Sequence, residues 1–123
     1  MRVETCRFEY GVVHGDFVEM VKAPQYANGV FMFNDNHGQF LDANPNKPDF
    51  HAPYNHVSGG GNARVRPYQA TGDAIGMPTG PYQSLEQIVE DSTTAQDMVH
   101  EACYRTIDLF LKRPDKEVLF YSI

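Results

Sequence analysis

Two short segments, Val30-Phe31-Met32-Phe33 and Val118-Leu119-Phe120-Tyr121, are apolar at every position. A strand of this kind has no polar side to give to water, so both of its faces need cover. The second segment closely follows a helical pattern. Ala95, Met98, Val99, Ala102, Cys103, Thr106 and Phe110 fall on one face, while Asp97, Glu101, Arg105 and Asp108 lie off it. Thr93 and Gln96 have the spacing of a capping box. Lys112 and Arg113 suit the negative end of the helix, and Pro114 stops it. A helix that leads straight into a doubly apolar strand points to the α/β class: one layered domain with a mixed, largely parallel sheet flanked by helices.

The remaining elements are shorter. Cys6, Phe8, Tyr10 and Val12 alternate with polar residues or glycine, which predicts a strand with one buried face, broken by His14-Gly15-Asp16-Phe17. Gly29 to Phe33 reads as a second strand. Residues 37–58 are rich in asparagine and proline and show no periodicity, so they read as a long loop inserted in a single domain spanning 1–123. Its few apolar residues, such as Phe40, Phe50 and Tyr54, are enough to cap a pocket, and the expectation is a loop that orders over ligand. Asn62 to Arg66 predicts a short helix stopped by Pro67. Ala74 to Met77 predicts a buried strand running into a rigid turn, Pro78-Thr79-Gly80-Pro81.

Several function classes are disfavoured. The chain has 123 residues, is 41% hydrophobic and carries a net charge of −6, with its lysines and arginines scattered, so no nucleic-acid partner is expected. No apolar run approaches a membrane span and no signal-peptide core opens the chain, so the expectation is a cytoplasmic protein without a membrane partner. Cys6 and Cys103 form no CxxC or zinc spacing and read as buried, reduced thiols. His51 and His56 with Asp49 fit no zinc pattern, so no metal and no cofactor are expected.

Gly59-Gly60-Gly61 removes every Cβ from a short stretch, so backbone amides can approach an anion closely. A helix starting at Asn62 would add its free N–H groups at the same point. The alternative is a plain surface turn. Taken in order, Val12-Val13-His14-Gly15-Asp16-Phe17, Val30-Phe31-Met32-Phe33-Asn34-Asp35-Asn36, Gly59-Gly60-Gly61-Asn62-Ala63 and Ala74-Ile75-Gly76-Met77-Pro78-Thr79-Gly80-Pro81-Tyr82, with the closing helix and strand, resemble the macro domain, the ADP-ribose-binding α/β family. The chain is shorter than a typical member, longer between Asn36 and Gly59, and much shorter between Gly61 and Ala74, as in a trimmed or remodelled relative.

The resemblance implies that Asp16 accepts a hydrogen bond from the adenine amino group and that the amide of Phe17 reads a ring nitrogen; the alternative for Asp16 is a solvated turn. Asn34 and Asn36 sit at a strand end where they could meet ribose hydroxyls, or could start an Asx turn. Gly59, Gly60 and Gly61, with Asn62 beside them, would hold one phosphate and Thr79-Gly80-Pro81 the other. Arg64 and Arg66 could pair with phosphate or be exposed charges. Tyr82 and Tyr121 could stack on a base or distal ribose, with a core role the alternative for Tyr121.

The function expected is binding of ADP-ribose or a related adenine nucleotide. A second reading is an ADP-ribosyl hydrolase or ADP-ribose phosphatase. Many hydrolytic members carry an acidic residue just beyond the glycines; Asn62, Ala63 and Arg64 stand there, leaving Asp35 and His37 as catalytic candidates. A third is a protein that sequesters a nucleotide signal or forms a homo-oligomer.

Overall fold

The computed structural model describes residues 1–36, 60–80 and 92–123. In chain order the elements are β1 (Arg2–Cys6), α1 (Phe17–Lys22), a short 3-10 helix (Pro24–Tyr26), β2 (Gly29–Asn36), a long 3-10 helix (Gly61–Thr71), β3 (Ala74–Gly80), α2 (Ser92–Lys112) and β4 (Val118–Ser122). Among the described residues four strands form one sheet in the order β1-β4-β2-β3, and every neighbouring pair is parallel. Val118 sits opposite both Arg2 and Gly29, and Phe31 opposite both Phe120 and Ala74. β2 and β4 are therefore the inner strands. This is why they are apolar on both sides.

Each face has its own core. On the first, Phe17 and Met20 of α1 and Val65 of the long 3-10 helix pack on Cys6, Phe31, Phe33, Ala74, Val118 and Phe120. The Phe31 and Phe120 rings stack at 5.3 Å, and Tyr26 meets Phe120 edge-on at 5.5 Å. On the second face, Leu109 and Phe110 of α2 cover Val30, Met32, Ile75 and Leu119.

Four local expectations are corrected. The first strand is Arg2–Cys6, not Cys6 to Val12. Tyr10 and Val12 are exposed in turns, because the chain is drawn aside by local bonds: the Val12 amide donates to Glu9 O and the Gly11 amide to Asp16 Oδ2. Pro67 does not stop a helix after Arg66. The stretch runs on as 3-10 to Thr71 and ends at Gly72, whose φ of 78° supplies the left-handed cap. Pro78, Thr79 and Gly80 are not a turn but the end of β3, with Asn36 opposite Gly80 after a register shift. Helix α2 begins at Ser92, so Thr93 lies inside it rather than capping it.

The buried side of α2 keeps part of the expected face and loses part of it. Ala102 and Thr106 are buried, and the Thr106 hydroxyl is satisfied by donating to Ala102 O at 2.7 Å. Val99 and Cys103 are exposed, whereas Cys6 is buried and both thiols are free. Leu109, absent from the expected face, packs on the second core beside Phe110, which belongs to it. The side chains of Ala95 and Met98 and all of 37–58 lie outside the described residues.

Candidate functional site

With all pairs parallel, Cys6, Ser122, Asn36 and Gly80 end their strands on one edge of the sheet. In open α/β sheets this carboxyl edge is where ligands collect. The start of α1 and the start of the long 3-10 helix join it there. Asn62 makes the join: its Oδ1 accepts from the Phe17 amide at 2.8 Å, and its Nδ2 donates to Ser122 Oγ at 2.8 Å. Asn62 is buried, and its bonds are internal. The Phe17 amide, expected to read a ring nitrogen, is taken up by Asn62, and the Phe17 ring is core.

Asp16 is the N-cap of α1, its Oδ1 accepting from the Val18 amide at 3.0 Å. Oδ2 accepts from the Gly11 amide at 2.9 Å and from Arg64 Nη1 at 3.1 Å. The residue is only 1% exposed, so it is not a solvated turn. Burial opposes its ionisation, but the Gly11 amide, the Arg64 guanidinium and the Val18 amide outweigh that and hold the carboxyl below its usual value. Arg64 lies over the Tyr10 ring at 5.0 Å.

Farther along the edge, side chains alternate about β2. Asn34 is exposed on the α2 side and accepts from the Tyr121 hydroxyl at 2.8 Å. Asp35 points to the other side, where Arg66 Nη2 donates to its Oδ1 at 2.7 Å. The pair is buried, Arg66 at 1% and Asp35 at 6% exposure, and the Arg66 guanidinium also rests 5.5 Å from the Phe33 ring. Room for it depends on Gly76, where a Cβ would sit 2.9 Å from Asp35 Oδ2. Arg66 is thus not an exposed charge.

Of the two described glycines of this run, Gly60 is extended at φ −83° and Gly61 has a positive φ of 56°. Gly60 is exposed. Its carbonyl accepts from the Ala63 amide, opening a 3-10 rather than an α-helix. No protein-family model, no curated protein and no solved structure matches this chain.

The structure thus brings Asp16, Phe17, Asn62 and Arg64 into one cluster, and Asp35 with Arg66 into another. His37, Gly59, Pro81 and Tyr82 lie outside the described residues, as do Asp49, His51 and His56; for Asn36, Thr79 and Gly80 only the backbone is described. Among the described residues no group of three or more His, Cys, Asp or Glu could hold a metal, and no helix is long and apolar enough to cross a membrane.

Sequence reasoning missed a third cluster. Cys6 Sγ lies 3.7 Å from His14 Nε2, and His14 Nδ1 lies 3.0 Å from the Tyr26 hydroxyl. Burial, then the Glu4 carboxylate, push the Cys6 thiol up, which keeps it protonated and poorly nucleophilic. No spacing in the sequence announces this contact, because Tyr26 arrives from beyond α1.

Proposed function

We propose that the carboxyl edge binds ADP-ribose or a related adenine nucleotide, with the Gly60-Gly61 turn holding phosphate and Asn34 and Asn36 lying toward the ribose. The observation that carries this reading is the double anchoring of Asn62, which fixes the glycine turn against the last residue of β4 and the first amide of α1. A fixed turn presents its backbone without an ordering cost at the moment of binding. The ordered resemblance of the sequence to macro domains supports the choice of ligand.

Binding without turnover is favoured over hydrolysis. Asp35, one of the two residues named for catalysis, is buried in an ion pair with Arg66, a poor position from which to orient water. Self-association is a second reading, favoured by Val99, Tyr104, Ile107 and Leu111 exposed along α2. The two free thiols suit a reducing, cytoplasmic setting.

The test is a thermal-shift series with ADP-ribose, NAD, AMP and ribose 5-phosphate on the wild type and Gly60→Val. Nothing lies within 4 Å of a Cβ at Gly60, so the variant should fold normally while its side chain blocks the approach to the turn. A nucleotide at a hundred times its dissociation constant should stabilise the wild type by about 2.7 kcal/mol. Equal stabilisation of Gly60→Val would remove the glycine turn from the site, and none for either protein would remove the function.

A further inference from the structure

The connection between β1 and α1 exposes Tyr10, Val12 and Val13, with Tyr10 76% accessible. An apolar loop of this kind is held in place rather than left loose. The Val12 amide donates to Glu9 O, the Asp16 amide donates to Val12 O at 3.0 Å, and the Gly11 amide donates to the buried Asp16 carboxylate. The same carboxylate receives Arg64, which in turn lies over one face of the Tyr10 ring. Tyr10 is therefore an aromatic ring with a cation fixed on one side and most of its surface still open.

The segment that carries the ring also adjoins the glycine turn, through Phe8 and through Arg64. Gly61 faces the Phe8 ring, 3.8 Å from where its Cβ would be, and Arg64 follows Gly61 along the same 3-10 helix. A planar aromatic group gains most from such a surface, because stacking needs a face and little else. A guanidinium already ordered by Asp16 means that little rotamer entropy is lost when the stack forms. Offset stacking against a ring polarised by a cation suits an electron-rich heterocycle such as a purine.

We propose that Tyr10 is the base-stacking platform for a nucleotide whose phosphates lie at the Gly60-Gly61 turn, with Asp16 a positioning residue that fixes Arg64 and the loop. This rests on the nucleotide reading above and changes one part of it. The base is met by an aromatic face that Asp16 organises, instead of by the Asp16 carboxylate itself.

Calorimetric titration of ADP-ribose, AMP and base-free ribose 5-phosphate into the wild type, Tyr10→Ala, Tyr10→Phe and Gly60→Val tests it. Tyr10→Ala should weaken ADP-ribose and AMP about tenfold or more, as loss of a stacking partner does, and leave ribose 5-phosphate unchanged. Tyr10→Phe should keep wild-type affinity, since the face is retained. Tyr10 is exposed, so unchanged melting temperatures are expected and serve as the folding control. Full affinity of Tyr10→Ala for ADP-ribose, with loss in Gly60→Val, would overturn the platform and leave the nucleotide site standing. Equal loss of all three ligands in Tyr10→Ala would also overturn it, since the ring would then act on the fold. No binding of any ligand by the wild type would overturn both.

Discussion

Asp16 joins the N-terminus of α1, the exposed loop before it and the long 3-10 helix through three hydrogen bonds, to Val18, Gly11 and Arg64. Asp16→Ala should cost at least the roughly 1 kcal/mol of a lost N-cap. Asp73 is a second carboxylate of this type, where Lys116 and Thr71 outweigh the penalty of burial. Both have folded-state values below the ordinary one. Their contribution is therefore complete above the unfolded aspartate value, about 3.9, and is lost as pH falls through the lower folded values. Melting temperatures followed downward from pH 6 should hold until about pH 4 and then fall. Asp16→Asn should flatten part of that fall; an identical acid limb in the variant would show that Asp16 carries none of it.

Legibility from sequence tracked how local the cause of each element is. β2, β3, β4 and α2 announce themselves by apolar density or period, which neighbouring residues set. β1 does not, because Arg2–Cys6 is an edge strand whose pairing with Val118–Ser122 comes from the far end of the chain. The alternation through Tyr10 and Val12 then misleads, since Asp16 diverts that stretch into turns. The same holds in the candidate site. Strand ends and glycines were readable, whereas the Asp35–Arg66 and Asp16–Arg64 pairs join residues on separate elements and leave no spacing signal.

Helix α2 shows how this matters for surfaces. Its buried line runs through Ala102 and Thr106, which leaves Ile107, 51% exposed, beside Val99, Tyr104 and Leu111. Exposed apolar side chains on one helix can cover one another when two copies meet about a two-fold axis. If the helix serves self-association, light scattering at rising concentration should show a dimer for the wild type. Ile107→Glu should then stay monomeric with an unchanged melting temperature. A wild type that is monomeric throughout would dismiss the second reading and leave these side chains as scattered surface apolar groups.

At the scale of the molecule, four parallel strands bring their carboxyl ends, the start of α1 and the glycine turn to one edge, while α2 packs across one face of the sheet. The opposite edge is closed by structural contacts: buried Lys116 donates to Ala27 O at 2.9 Å and to Asp73 Oδ1 at 2.6 Å where β2 and β3 begin. In the proposed reading, ligand and structural clamp belong to opposite ends of the strands. Amide hydrogen exchange with and without saturating ADP-ribose separates these ends directly. Increased protection in residues 60–66 and at the loop before α1, with α2 and the Lys116 end unchanged, is the result that nucleotide binding at the carboxyl edge requires. Protection confined to α2, or none anywhere on the chain, would contradict it.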